Sequence, residues 1–364
     1  GIPTPPLRSR AFLFSVGMHR FPYKWALKDA VFTKDKGKVF SCFACGGGST
    51  MGYKLAGFDV IGCNEIDPKM MEAYRVNHNP KYSFLEPIQT FKNREDLPSE
   101  LYKLDILDGS PPCSSFSMAG NRGKDWGKEK KFREGQSLQV LDTLFFDFID
   151  LAKKLQPKVV VAENVKGLLL GNAKSYVIQI YKEFEEAGYE VQHFLLDASK
   201  MGVPQRRERV FFIALRKDLC SPFMVQKDMF THKPNLKLLF REKQIPFGVI
   251  QNNGDRKPLG LAYSKHFKNA NHTGRANANN NNTFGFFYKC LKGLVCATIT
   301  SGSSYCIEES EMLINDAELC NIGSFPEDYN FASNPVQYLI GMSVPPVMTA
   351  QIATELHDQW LSKI

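Results

Sequence analysis

Short hydrophobic runs alternate with stretches of helical periodicity along residues 38–215. The runs predict strands at 39–43, 59–64, 104–107, 158–162, 190–196 and 209–215, and the periodic stretches predict helices at 49–56, 138–155 and 174–187. Strands that alternate with helices usually form a mostly parallel sheet with helices on both faces. We therefore predict an α/β domain over residues 38–215.

The rest of the chain has a different pattern. Residues 1–37 are proline-rich and basic without clear periodicity, so we interpret them as an N-terminal extension. Prolines recur over 216–330, which also contains the asparagine-rich tract 277–282. This favours a smaller, irregular domain. Helical spacing returns at Val347, Ile352, Leu356 and Trp360, and we expect residues 331–364 to return to the first domain.

Composition narrows the class of protein. The chain has 364 residues and a formal net charge of +8, which permits an anionic partner but does not require one. Nine cysteines with no secretory leader favour a reducing compartment and free thiols. A lone Cys42-x-x-Cys45 pair predicts strand packing, and no metal site is expected. No segment predicts a membrane span, so we expect a soluble protein. We also expect it to be a monomer.

The strongest single motif follows the strand at 104–107. The chain there reads Gly109-Ser110-Pro111-Pro112-Cys113. Two consecutive prolines fix φ and remove two backbone donors, so the strand exits in a rigid turn that presents Cys113 in one place. This geometry suits a nucleophile. A structural cysteine at an ordinary strand exit is the alternative.

A glycine turn, Gly46-Gly47-Gly48, follows the first predicted strand, and Glu65 ends the second. An acid roughly 20 residues beyond such a turn is typical of a carboxylate that binds ribose hydroxyls in nucleotide-binding α/β folds. A dinucleotide-dependent dehydrogenase would have the same two features. The glycine turn and Glu65 alone therefore do not determine the class of enzyme.

Four segments occur in a fixed order: the glycine turn, Pro111-Pro112-Cys113, Ala162-Glu163-Asn164-Val165 and Gln205-Arg206-Arg207-Glu208-Arg209. Together they resemble the DNA (cytosine-5) methyltransferase family of bacterial and phage type, over roughly residues 39–364. The resemblance implies a Rossmann-like sheet that uses S-adenosylmethionine, at 38–215, and a target-recognition domain at 216–330. It also implies that 331–364 belongs to the catalytic domain.

The resemblance implies a role for each catalytic residue. Cytosine C5 is a poor nucleophile until a thiolate adds at C6, and Cys113 matches that thiolate. Glu163 matches the acid that contacts N3 and the exocyclic amine. Arg209 matches the residue that holds O2, and Arg207 belongs to the same catalytic motif. The alternative for Glu163, Arg207 and Arg209 is ordinary ion pairing at a sheet edge.

The resemblance further implies two binding sets. Residues matching contacts to S-adenosylmethionine are Phe43, Gly46, Gly47, Gly48, Glu65, Ile66, Pro112, Leu144 and Ser343. Residues expected to contact DNA are Ser114, Arg122 and Lys124 after the nucleophile, and Thr298 and Thr300 in the recognition segment. The sequence departs from the family pattern at Cys45, Pro87 and Met342.

The expected function is therefore methyl transfer from S-adenosylmethionine to C5 of cytosine, flipped out of a specific double-stranded DNA sequence. A tRNA cytosine-5 methyltransferase and a catalytically silent DNA-binding relative are the alternatives. The expected partner is duplex DNA. A cognate restriction endonuclease is compatible with this function without a direct complex, and the expected location is the bacterial cytoplasm or nucleoid.

Overall fold

The computed structural model describes residues 19–112, 129–130, 139–140, 143–264, 267, 275–277 and 286–364. The chain divides into two compact units. The first, called the sheet unit, comprises Phe32–Leu196, Glu208–Leu239 and Ile352–Ile364. The second unit comprises Gly1–Val31, Asp197–Arg207 and Phe240–Gln351. The domain boundaries expected from the sequence stay a prediction.

The described residues form short strands and helices throughout. The strands are β1 Lys38–Cys42, β2 Asp59–Glu65, β3 Tyr82–Leu85, β4 Ile106–Gly109, β5 Glu129–Lys130, β6 Gln139–Val140, β7 Val159–Val165, β8 Tyr189–Asp197, β9 Glu208–Arg216, β10 Met224–Gln226, β11 His232–Pro234, β12 Arg275–Asn277, β13 Phe286–Cys290 and β14 Ser304–Ile307. The helices are α1 Gly48–Leu55, α2 Pro68–His78, α3 Ile88–Phe91, α4 Leu144–Leu155, α5 Lys174–Glu186, α6 Phe247–Ile250, α7 Leu261–Ser264, α8 Asp316–Ile322, α9 Val336–Met342 and α10 Pro346–Gln359.

The sheet unit is built on a seven-stranded sheet in the order β3-β2-β1-β4-β7-β9-β8. Strands β3, β2, β1, β4 and β7 pair in parallel, which confirms the expected α/β fold. Strand β9 runs antiparallel to β7, so the sheet is mixed. The strand order reverses at β1 and β4, and ligands of open α/β sheets bind beyond the carboxyl ends of strands at such a switch point.

Successive residues of a strand point to opposite faces of the sheet, and both faces here are covered. On one face, Phe40 and Leu107 belong to the same fully buried cluster as Phe148 of α4. On the other face, Asp108 accepts hydrogen bonds from Ser49 and Tyr53 of α1. Helices therefore lie on both faces, and the carboxyl edge between β1 and β4 is left for loops.

The sequence pattern misplaced two boundaries and missed several elements. The strand expected at 104–107 lies at Ile106–Gly109. The helix expected over 138–155 begins at Leu144, because residues 139–140 form β6, which pairs antiparallel with β5. The apolar spacing of Leu138 and Leu141 continues the stripe of α4 by coincidence. Helix α2 and strand β3 were not foreseen. None of the helices that the structure describes is long and apolar enough to cross a membrane.

The second unit contains the greater part of the irregular region. Its largest sheet has three strands, in the order β12-β13-β14. Strand β13 pairs antiparallel with β12 and in parallel with β14. The β10–β11 hairpin, by contrast, belongs to the sheet unit with the rest of Glu208–Leu239.

Candidate active site

The glycine turn joins β1 to α1 in a left-handed backbone conformation. Phe43 and Cys45 both have φ of 50°, and Gly47 has φ of 95°. Non-glycine residues rarely adopt this conformation and cluster at functional sites when they do. Cys45, which replaces a glycine of the family pattern, therefore keeps the backbone that a glycine would favour. The Phe43 ring lies 6.3 Å from that of Phe148 and is half-buried.

Glu65 ends β2 beside this turn, and its carboxylate binds backbone amides. Oε2 accepts from the Cys45 amide at 2.7 Å, and Oε1 accepts from the amides of Ile66 and Asp67, both at 3.1 Å. Burial raises the pKa of Glu65 to about 7, against the opposing effect of these amides. The three amides occupy three of the roughly four acceptor sites of this carboxylate, so one site on Oε2 is left for a ribose hydroxyl.

Sequence reasoning missed Asp108, which lies five residues before Cys113. Its Oδ2 accepts from the hydroxyls of Ser41 at 2.9 Å and Ser49 at 3.1 Å, and its Oδ1 accepts from the Tyr53 hydroxyl at 2.9 Å. Burial raises the pKa of Asp108 to about 6. Hydrogen bonds to one carboxylate thus connect β4 to β1 and to the first two turns of α1. The sequence feature that could have identified Asp108 is an acidic residue inside a hydrophobic strand.

The turn after β4 is anchored at its other end by β7. The Asn164 side chain donates to the Pro111 carbonyl at 3.1 Å, and Asn164 is buried. Pro112 is half-buried beside it. The rigid exit expected from the two prolines is therefore held by a side chain adjacent to Glu163. Cys113, Ser114, Arg122 and Lys124 lie outside the described residues.

Glu163 and Arg209 form an ion pair at the carboxyl edge of the sheet. Arg209 Nε lies 3.2 Å from Glu163 Oε1, and the two side chains are 18% and 13% exposed. Strand β9 is antiparallel to β7, so Arg209 near its start pairs with Val165 near the end of β7. The structure therefore brings together two residues that lie 46 positions apart in the chain (209 minus 163).

Arg207 is held differently from Arg209. It is buried in the second unit, where its guanidinium donates to the Ile299 carbonyl at 3.0 Å and to the Gly341 carbonyl at 2.9 Å. The Thr298 hydroxyl donates to the Arg206 carbonyl at 2.5 Å, whereas Thr300 is exposed. Ser343 is also buried in this unit and donates to the Leu339 carbonyl at 2.6 Å.

The remaining expected cofactor residues belong to the sheet unit. Gly46, Gly47 and Gly48 are buried in the turn, and Ile66 is half-buried after β2. Leu144 is fully buried as the first residue of α4 and packs in the core. Glu86, next to Pro87, accepts a hydrogen bond from Arg94 at 2.7 Å, so its charge is already paired.

The glycine turn, Glu65, the Pro-Pro turn and the Glu163–Arg209 pair therefore all lie at the carboxyl edge of one sheet. The arrangement lies on an open α/β sheet, a fold that known methyltransferases share. Two solved structures share it: a DNMT2 variant from Spodoptera frugiperda has a TM-score of 0.61 at 18% identity and covers 88% of this chain and 99% of its own. The S. pombe Dnmt2 methyltransferase has a TM-score of 0.58 at 14% identity, with coverage of 88% and 99%. These likenesses concern the fold alone.

The sequence comparisons identify the family. The model of the C-5 cytosine-specific DNA methylase family matches residues 37–358, and the chain belongs to that family. The type II methyltransferase M.FnuDI of Fusobacterium nucleatum is 42% identical over 183 residues, which is 50% of this chain and 48% of the relative. M1.HphI of Haemophilus parahaemolyticus is 27% identical over 344 residues, 85% and 84% of the two chains. The chain spans about half the length of the first two relatives it matches, at 48% and 51%.

Proposed function

We propose that this protein transfers a methyl group from S-adenosylmethionine to C5 of cytosine in a specific sequence of double-stranded DNA. The observation that supports this most is the family match over residues 37–358, in a chain that retains Cys113 after its Pro-Pro turn. The Glu163–Arg209 pair at the same sheet edge is in keeping with it. The proposed partner is duplex DNA, with a cognate restriction endonuclease as a further possibility suggested by the type II names of the relatives.

The proposed chemistry gives each residue of the site a task. Cys113 as thiolate forms a bond to C6 of a flipped cytosine, and negative charge develops over N3 and O2. Glu163 contacts N3 and the exocyclic amine, while the Arg209 guanidinium, already oriented by Glu163, stabilises the charge at O2. C5 then accepts the methyl group, the C5 proton leaves to a base, and the C6–sulfur bond breaks to restore the aromatic ring and the thiolate.

Glu65 and the glycine turn are proposed to hold the cofactor. When bound, S-adenosylmethionine supplies an electrophilic methyl group on a sulfonium and leaves as a neutral thioether. The Glu65 carboxylate would accept a ribose hydroxyl, and the left-handed turn at Cys45 and Gly47 would let the backbone approach the ligand closely. Phe43, Ile66 and Pro112 would pack against it. Leu144 and Ser343 stay expectations from the family resemblance.

The test is covalent trapping on duplex DNA that carries 5-fluorocytosine. Fluorine cannot leave C5 as a proton does, so the complex of Cys113 with C6 should persist through denaturing electrophoresis when S-adenosylmethionine is present. Cys113→Ser is the control, and its band should be absent. A covalent band with fluorinated tRNA and none with DNA would mean that the substrate is RNA. No band with either substrate, from folded protein that binds the cofactor, would favour the silent relative.

A further inference from the structure

The segment Thr298–Thr300 of the second unit belongs to no strand or helix, yet side chains hold its backbone. The Tyr305 hydroxyl donates to the Thr298 carbonyl at 2.7 Å and accepts from the Thr300 amide at 2.9 Å. The Ile299 amide donates to Gln205 Oε1 at 3.0 Å. One tyrosine and one glutamine thus satisfy three backbone groups that a regular element would pair with other backbone.

Two further side chains complete this arrangement. Arg207 donates to the Ile299 carbonyl at 3.0 Å, and Gln337 of α9 donates to the Thr300 carbonyl at 2.9 Å. Gly341 of α9 also approaches closely, since a Cβ there would lie 2.8 Å from the carbonyl carbon of Thr300. Five backbone groups of a three-residue segment are therefore bonded to side chains from three parts of the unit.

Three of the four anchoring side chains are buried and Gln337 is half-buried, whereas the end of the segment is exposed. Gln205 is 1% exposed, Arg207 5% and Tyr305 1%. The Tyr305 ring also stacks on Tyr288, with centroids 5.1 Å apart and an interplanar angle of 11°. Thr300 and Ser301, in contrast, are exposed. The segment combines a backbone held by side chains with the exposed Thr300, whose hydroxyl donates to Ser303 Oγ at 2.9 Å, and the exposed Ser301 follows it.

We propose that Gln205, Arg207, Tyr305 and Gln337 are positioning residues, which fix Thr298–Thr300 in one conformation and thereby set how strictly the enzyme rejects near matches to its target sequence. This inference rests on the proposed function. A mobile recognition segment can rearrange to accept a mismatched base pair, whereas a pre-organised one leaves the mismatched groups unpaired. Arg207 acts here through backbone carbonyls and not on the reacting base.

Tyr305→Phe tests the proposal with the smallest change, because it removes the hydroxyl and keeps the ring. Tyr189→Phe is the matched control: Tyr189 is also fully buried, and its hydroxyl donates to the Pro157 carbonyl in the sheet unit. Both variants are incubated with a duplex library randomised around cytosines, and methylation is read by bisulfite sequencing. The measured quantity is the ratio of methylation at the preferred sequence to that at single mismatches.

We expect this ratio to fall by about tenfold in Tyr305→Phe, a loss comparable to the discrimination of one base pair, and to be unchanged in Tyr189→Phe. S-adenosylmethionine affinity should be unchanged in both. A merely structural role would slow methylation equally at all sites. Gln337→Ala removes one of the five bonds, the one to the Thr300 carbonyl, and should lower the ratio by less. It tests the proposal if Tyr305→Phe does not fold. An unchanged ratio in both variants overturns the inference, whereas a library left unmethylated by the wild type overturns the proposed function itself.

Discussion

Glu65 shows how one buried residue can make ligand binding depend on pH. Its carboxylate is buried among three backbone amides, and its pKa is raised to about 7. The folded protein therefore carries a mixture of the two protonation states near neutrality. A ligand that donates hydroxyl hydrogens to the carboxylate prefers the ionised form, so binding and deprotonation are linked.

We predict that S-adenosylhomocysteine binds more tightly as the pH rises through 7. Below the pKa of about 7, the carboxyl must lose a proton before it accepts a ribose hydroxyl, and affinity should fall by up to about tenfold per pH unit. Titration calorimetry between pH 6 and 8 measures this slope.

Glu65→Gln is the control for this slope, since the ligand's own titration is common to both proteins. The variant should bind more weakly at pH 8 and lose the part of the slope that comes from the carboxylate. Identical slopes in wild type and variant would contradict the assignment of Glu65 to the ribose.

From the sequence, single residues could be identified as candidates for catalysis or binding, but the hydrogen-bond partners of each side chain could not. Glu65 was recognised from its spacing after the glycine turn. Asp108 was not, because its three hydroxyl partners come from β1 and α1 and meet only after the sheet and helix have packed. Arg207 and Arg209 were both expected to be catalytic, and the structure holds them by different partners: Arg207 by backbone carbonyls and Arg209 by Glu163.

At the scale of elements, the position of the Pro-Pro turn depends on how closely α4 packs on β4. Gly109 is the last residue of β4, and a Cβ there would lie 2.6 Å from the ring of Phe148. Phe148 is fully buried in the main core and cannot withdraw without opening a cavity. The missing side chain at Gly109 therefore sets the distance between strand and helix.

We predict that Gly109→Ala lowers the free energy of unfolding by about 1–3 kcal/mol, the usual cost of overpacking a core. The displaced strand end should also reduce covalent trapping by Cys113. Gly293→Ala is the control, because nothing lies within 4 Å of the added Cβ, and its stability should change little. Chemical denaturation of both variants measures the difference. Equal stability would mean that the β4–α4 spacing tolerates a methyl group.

Elements with a clear pattern of hydrophobic residues could be predicted from the sequence, and elements with a weak pattern could not. Strands β1, β2 and β7 each contain a buried run with clear ends, and β7 begins with four buried apolar residues. Helix α2 has four buried residues among polar ones and begins at a proline, so its periodicity is weak. The start of α4 was misplaced because apolar spacing alone does not locate the first residue of a helix.

At the scale of the whole molecule, the segment Glu208–Leu239 belongs with the sheet and not with the irregular residues that follow it. The Trp360 indole donates to the Asn235 carbonyl at 2.8 Å, and the Gln359 side chain donates to the Lys237 carbonyl at 2.9 Å. The Gln192 side chain donates to the Pro234 carbonyl at 2.7 Å. These bonds join the β10–β11 region to β8 and to the last turn of α10.

We predict that exchanging residues 240–330 for the corresponding segment of a relative changes which sequence is methylated and leaves cofactor affinity nearly unchanged. Exchanging 216–330 should also lower the melting temperature, because it replaces the partners of Trp360 and Gln359. Calorimetric melting, cofactor titration and library methylation compare the two chimeras. Equal melting temperatures would place the functional boundary nearer residue 216, and a loss of cofactor affinity in the shorter exchange would argue against modularity.

The return of residues 352–364 to the sheet unit has a consequence for how the chain folds. The ring of His357 lies 6.2 Å from that of Phe58, so the packing of this segment joins residues 299 positions apart in the chain (357 minus 58). Contacts at such separation carry a large loop-closure cost and slow the search for the native state. During synthesis, part of the apolar surface of the sheet stays uncovered until residues 352–364 have been made. Chaperone dependence should therefore persist until residues 352–364 have been synthesised and packed.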